Sequence, residues 1–357
     1  LGEGKPLAGD GMVLTSVAAV HDRHSAFIER HHSPSTEVLT PTLNRPDRSA
    51  LGDTMATRFP QIQLIACLLP WKADYTLDEA VFRKHVQTAI AQGYQHLYLM
   101  GTAGEGYAVT DRQFEHVVSV FCEELQGDGL APMVGVISLS MGQILDRIRF
   151  AHKMGIHHFQ ISLPSWGALS DGEMLEFFRR VGGEFPDANF LHYNLPRARR
   201  IITGREYRRI ADAVPNLVAT KNSTSDYARV ADLMTHVPDL QHCFLENAFA
   251  FGCLFGECSL LCSLGLLFPK LTHRFFELGR TRQMPELMEM HKEINQILNS
   301  LIEPVRETHI DGAYDKMFAW LRDPAFPMRL LPPYHGLSEE ETRLARGIFE
   351  SRFGHLE

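Results

Sequence analysis

From Ile62 onward the chain alternates short apolar runs with amphipathic stretches eight times over, and this alternation restricts its possible folds more than any other feature. The runs QLIACLL, HLYLM, APMVGVI, HHFQISL, NFLHY, NLVAT, HCFLE and CSLLCSL read as strands. DEAVFRKHVQTAIAQG, DRQFEHVVSVFCEEL, MGQILDRIRFAHKMG, DGEMLEFFRRVGG, GREYRRIADAV and SDYARVADLMTHV read as the helices between them, and FPKLTHRFFELG follows the eighth strand. Strands apolar on both faces belong in a parallel sheet covered by helices. Eight strand–helix units of about 20–30 residues each therefore predict a closed (β/α)8 TIM barrel of the α/β class over 59–281. Periodicity alone leaves a doubly wound open sheet as the alternative.

Helical patterns at 283–302, 311–322 and 338–351 predict a C-terminal helical extension, 282–357, packed on the barrel. It has no Gly/Ser linker that would make it independent. Residues 1–58 carry scattered Ser, Thr, Pro, His and charge without periodicity, and read as a disordered extension. Met55 is a candidate natural start within it. A net charge of −8 with no long basic run argues against a nucleic-acid partner. No apolar stretch reaches the roughly 18 residues of a membrane span. Six cysteines without CxxC spacing fit buried thiols better than a disulfide framework or a zinc site, so a reducing cytoplasm is the expected location.

Catalytic groups of a barrel sit where its strands end and the βα loops begin. Strand two ends in Gly101-Thr102-Ala103-Gly104-Glu105-Gly106, strand five in His192-Tyr193-Asn194 and strand six in Thr220-Lys221. A lysine after LVAT points into the barrel mouth. An amine there is desolvated, which disfavours its charged form, and the neutral amine is the nucleophile. The structural alternative is a lysine that snorkels to the rim. Tyr193 on the adjacent strand is placed to shuttle protons, its alternative being a rim tyrosine packing its ring. GTAGEG offers small residues and free N–H groups for an anion, or else a tight turn in which Glu105 opens a helix. Among 18 histidines, His31-His32 fall in the extension and His157-His158 at the start of strand four, away from chemistry. No HxH or HExxH spacing appears, so no metal is expected. GTAGEG lacks both the trailing Lys-Ser/Thr of a P-loop and the dinucleotide-fingerprint spacing, so no organic cofactor is expected.

GTAGE after strand two, YNLP after strand five and a lysine ending strand six resemble, in order and spacing, the dihydrodipicolinate synthase/N-acetylneuraminate lyase family over about residues 60 to 300. The resemblance implies a pyruvate-dependent class I aldolase, synthase or dehydratase on a (β/α)8 barrel, often a homotetramer. Lys221 would form the Schiff base and Tyr193 would be the catalytic tyrosine. Thr102, Ala103 and Gly101 would hold the substrate carboxylate, with the Thr102 hydroxyl near the tyrosine.

The departures from the pattern carry information too. GTAGE replaces the family's GTTGE. Leu163-Pro164-Ser165-Trp166 stands where the synthase carries its tyrosine pair, and an indole N–H does not shuttle protons as a phenol does. Ala198 falls where the synthase's arginine grips the second substrate, leaving Arg197 or Arg199 as substitutes, and Asn222 replaces the usual acid after the lysine. These changes argue against lysine-pathway synthase activity. The expected activity is a lyase acting on a 2-oxo acid, with a sugar-derived acid or an aromatic aldehyde as the other half. Trp166 and the Phe-rich loop Ala248-Phe249-Ala250-Phe251 after strand seven tilt that expectation toward a less polar aldehyde. A non-catalytic 2-oxo-acid binder and a metal-dependent aldolase are the alternatives.

Overall fold

The computed structural model describes residues 58–125, 129–306 and 309–356, so the expected N-terminal extension lies outside the described residues except for Arg58. Eight parallel strands follow one another in chain order: β1 (Gln63–Cys67), β2 (His96–Leu99), β3 (Met133–Gly135), β4 (His158–Ile161), β5 (Asn189–Asn194), β6 (Leu217–Asn222), β7 (Gln241–Leu245) and β8 (Ser259–Cys262). β8 pairs back onto β1 through Gln63 and Leu260, which closes the barrel and excludes the open sheet.

A helix follows each strand: α1 (Glu79–Ala91), α2 (Asp111–Glu124), α3 (Met141–Lys153), α4 (Asp171–Glu184), α5 (Gly204–Ala213), α6 (Tyr227–His236), α7 (Glu246–Phe255) and α8 (Pro269–Arg280). Their starts are written in the sequence. Thr110 with Gln113, Ser170 with Glu173 and Thr203 with Glu206 form reciprocal capping boxes on α2, α4 and α5. The Asp78, Ser140 and Asp226 side chains cap α1, α3 and α6.

Alternate strand residues divide the core in two, as a period of two requires. Leu64, Tyr98, Met133, Leu191, Ala219, Cys243 and Leu261 meet inside the barrel, with Phe59 and Ile62 packed against them. The other strand faces, with Phe159 and Phe190, are buried in a second cluster with Phe82, Phe114, Phe178 and Phe249 of the helices. The Phe-rich segment after strand seven is accordingly helix and not loop. Phe249 is fully buried, and Phe251 packs edge-on against His291. It contributes core packing and gives no reason to expect an apolar aldehyde.

Beyond α8 come α9 (Met284–Ile302), α10 (Asp311–Arg322) and α11 (Glu339–Arg352). α9 packs on α7 and α8, while α10 and α11 pack on each other. The start of α10 lies over the loop after β2, because the Gly312 backbone stands beside the Thr102 and Ala103 carbonyls.

Candidate active site

The register between β5 and β6 builds the centre of the site. Phe190 pairs with Leu217 but Leu191 pairs with Ala219, so β6 carries one extra residue at a bulge. That shift sets Tyr193 opposite Lys221 and not opposite Thr220, and re-aiming side chains is what such bulges do. Tyr193 and Lys221 thus project together into the mouth. The Lys221 Nζ lies 3.9 Å from the centroid of the Tyr193 ring and 4.8 Å from that of Tyr98. Only 5% of Lys221 is exposed. The Tyr193 hydroxyl pairs with the Ser223 Oγ at 3.1 Å, and Thr102 lines the same cleft.

A buried polar network behind these two side chains fixes the strand ends. Asn194 donates to Asn222 Oδ1 at 3.1 Å and to the Ile202 carbonyl at 2.9 Å, and Asn222 donates to Thr220 Oγ1 at 2.8 Å. Thr220 Oγ1 meets His242 Nδ1 at 2.6 Å. Burial pushes His242 down to about 4, so it is neutral at pH 7. Asn222 therefore serves the scaffold, and its side chain turns away from the mouth.

The loop GTAGEG is held from the far end of the chain. Glu105, with φ of 52°, opens no helix; α2 begins at Asp111. Its buried carboxylate accepts from Trp71 Nε1 at 2.9 Å, Lys316 Nζ at 2.5 Å and the Leu331 amide at 2.6 Å. Lys316 is also fully buried and gives a further bond to the Arg329 carbonyl. Burial draws its ammonium down to about 8. Thr102 and Ala103, three and two residues before Glu105, are in this way tied to α10.

Two clefts open at the C-terminal ends of the strands. The first contains Lys221, Tyr193, Ser223, Thr102 and Ala103, and its far wall carries Glu246, Asp311 and Asp315. The second contains Thr102, Tyr107, Leu163, Ser165, Arg197 and Ala198. Arg197 grips Asp311 through two bonds of 2.9 and 3.0 Å, so one ion pair bridges the two clefts.

The structure brings Lys221, Tyr193, Thr102 and Ala103 together and puts Arg197 next door. Gly101 lines neither cleft. It lies beneath, where a Cβ would collide with the Tyr98 hydroxyl. Arg199 takes the left-handed conformation that ends the 3-10 turn Pro196–Ala198 and points to solvent, so it does not replace the missing arginine. Trp166 is 86% exposed and lines neither cleft. Ser223, Glu246, Asp311 and Asp315 were not foreseen. His152, His157 and Asp187 bring ligand atoms within 4.8 Å of one another, but at the barrel's opposite end.

The model of the Dihydrodipicolinate synthetase family matches residues 61–341. The chain is 26% identical over 297 residues to a protein of Saccharopolyspora erythraea described as a probable 5-dehydro-4-deoxyglucarate dehydratase, covering 79% of this chain and 90% of that one. It is 20% identical over 276 residues to 4-hydroxy-tetrahydrodipicolinate synthase of Helicobacter pylori, covering 75% and 91%. Among solved structures, dihydrodipicolinate synthase from Aquifex aeolicus superposes with a TM-score of 0.73 at 16% identity, covering 82% of this chain and 97% of that one. N-acetylneuraminate lyase of Proteus mirabilis gives 0.70 at 19%, covering 81% and 98%. At such identities the superpositions speak for the fold alone. The barrel, its loop motifs and the match across most of its length make this chain a member of the dihydrodipicolinate synthase family, an enzyme of the lyase class.

Proposed function

We propose that the chain is a class I lyase, an aldolase or dehydratase, that forms a Schiff base between Lys221 and the C2 ketone of pyruvate or a related 2-oxo acid. The observation that carries this reading is the buried Lys221 amine against the Tyr193 ring, at the mouth of a closed barrel. The neutral amine adds to C2, and Tyr193, oriented by Ser223, passes the protons that turn the carbinolamine into an iminium. The iminium then draws electrons from C3. Thr102 and the Ala103 amide receive the carboxylate on a loop that the Glu105–Lys316 pair keeps in place, so little reorganisation accompanies the reaction.

The first cleft has an apolar wall of Leu245, Leu261, Leu298 and Ile302, and its polar groups favour a second half that carries hydroxyls. Ser223, Asn247, Ser263 and Asn295 line it. The Asn247 Oδ1 is buried without a hydrogen-bond partner among the described residues, an acceptor that a substrate hydroxyl would satisfy. Leu163, Trp166 and Ala198 in place of the synthase's tyrosines and arginine speak against lysine-pathway synthase activity. The reading includes a cytoplasmic enzyme, in keeping with six free cysteines, and a homotetramer, on family resemblance alone.

Exchange of the pyruvate methyl protons with deuterated solvent, followed by NMR, tests the proposal. The enzyme exchanges them and Lys221→Ala does not. Binding without exchange would favour the second reading, a 2-oxo-acid-binding relative without turnover. Exchange abolished by chelators would favour the metal-dependent aldolase.

A further inference from the structure

We propose that Asp315 is the general acid of this lyase, the group that gives a proton to the oxygen leaving C4 of a Lys221-bound 2-oxo acid, and that the reaction is therefore a dehydration. The proposal rests on the Schiff-base reading of Lys221 and goes on to name the reaction and the substrate class, a 3-deoxy-2-oxo acid with a hydroxyl at C4.

The geometry supplies the argument. Asp315 comes from α10 and lines the same cleft as Lys221 and Tyr193. It is buried, with Glu246 from α7, Ser263 after β8, Lys221 from β6 and Asp311 of its own helix as the polar and charged groups around it. Burial raises the Glu246 carboxyl as well, but two backbone donors oppose that rise, the Ser263 amide at 2.5 Å and the Leu264 amide at 2.9 Å. Asp315 accepts no backbone N–H among the described residues. Carboxyl groups crowded into one dry site do not all ionise, and the one without amide donors retains its proton. Burial first, then Asp311 and Glu246, push the Asp315 carboxyl up to about 8, with Lys221 and Ser263 acting against the shift. At neutral pH it is an acid with a proton to give. Cleavage of the C3–C4 bond would instead need a base at the C4 hydroxyl, which a protonated carboxyl does not provide. The proposal also supplies a proton route in a chain that lacks the family's tyrosine relay after β4.

The steps balance. Lys221 and the ketone condense with a proton from Tyr193, releasing one water and leaving an iminium and a phenolate. The phenolate removes a C3 proton, giving the enamine and restoring the phenol. The enamine nitrogen then pushes its pair toward C4, a C3–C4 double bond forms, and the C4–O bond breaks. The departing oxygen takes the Asp315 proton and leaves as a second water. Hydrolysis of the conjugated iminium consumes one water, frees the lysine and returns a proton to Asp315, so the net change is loss of one water.

The test uses Asp315→Asn, close in size and neutral, with 2-dehydro-3-deoxygluconate and 4-hydroxy-2-oxoglutarate as probes and a melting curve to verify folding. The expected result is wild-type dehydration that declines above pH about 8, reduced a hundredfold or more in the variant. The pyruvate adduct trapped by borohydride and the exchange of C3 protons should be retained. Dehydration in Asp315→Asn within threefold of wild type overturns the proposal. So does a wild type that forms the adduct yet dehydrates neither probe. Absence of the adduct in wild type overturns the Schiff-base reading itself, and the two failures are thereby told apart. Should Asp315→Asn unfold, Asp315→Ser serves in its place, and its dehydration must likewise fall.

Discussion

Replacing Lys316 by Met isolates the contact that fastens the GTAGEG loop to α10. Methionine matches the length and apolar stem of lysine but removes the ammonium that meets Glu105 at 2.5 Å. Both side chains are fully buried, so solvent does not screen what remains. Taking one partner from a buried ion pair typically costs about 3–5 kcal/mol, because the other charge stays buried and uncompensated. Glu105 retains Trp71 Nε1 and the Leu331 amide as donors, which puts the expected loss near the lower figure, about 3 kcal/mol. For a folded unit of this size, that corresponds to a fall of about 6 °C in Tm. Scanning calorimetry reads the fall, and the denaturant midpoint should move with its slope unchanged. Glu105→Gln should not rescue the variant, since the amide has one acceptor oxygen where the two remaining donors, Trp71 Nε1 and the Leu331 amide, each meet a different carboxylate oxygen. A Tm within 1 °C of wild type would refute the reasoning and make the pair incidental to the join between loop and extension.

Three further outcomes follow from the same contacts. Tyr193→Phe removes a hydroxyl that, among the described residues, bonds only to Ser223, so Tm should stay within about 2 °C while kcat/KM falls a hundredfold or more in steady-state assays; an undiminished rate would remove Tyr193 from the proton route. The Arg197–Asp311 pair has side chains 53% and 45% exposed, so Arg197→Ala should cost under about 1 kcal/mol by denaturant titration, while KM for a longer 2-oxo acid shifts; a larger loss of stability would mean that the pair holds α10 in place. With its folded value near 8 against about 4 when unfolded, Asp315 keeps a proton that the unfolded chain releases, so wild-type stability falls as pH rises from about 4 to 8. The Tm advantage of Asp315→Asn over wild type should therefore widen between pH 5 and pH 8, and a constant gap would contradict the shift.

The barrel was legible because each of its units keeps its period and its punctuation. Six helices were marked by amphipathic spacing and by capping residues such as Thr110, Ser170 and Thr203, and the bounds fell within a residue or two. α7 was not legible. ENAFAFGCLF is apolar almost all round and presents no polar stripe, because α9 covers the side that a typical barrel helix turns to water. That Lys221, Tyr193 and Thr102 share one cleft was legible because strand ends in a barrel converge on one mouth. Asp311, Asp315 and Lys316 could not be found that way. They lie about 90 residues after Lys221 in a helix whose charges read as its solvated face. The available signal was local: Asp315 and Lys316 sit among Ala313, Met317 and Phe318, on the side of α10 that packs inward. Trp166 and Arg199 were misjudged for the opposite reason. Their neighbourhood in sequence is right, but one side chain and one backbone turn direct them to solvent.

The most direct measurement is borohydride reduction of the enzyme in the presence of pyruvate, followed by intact mass and peptide mapping. The account predicts a single reduced pyruvyl adduct on Lys221, absent from Lys221→Ala and retained in Asp315→Asn. Failure to trap an adduct with pyruvate or any of a panel of other 2-oxo acids, or an adduct on a different lysine, would contradict it.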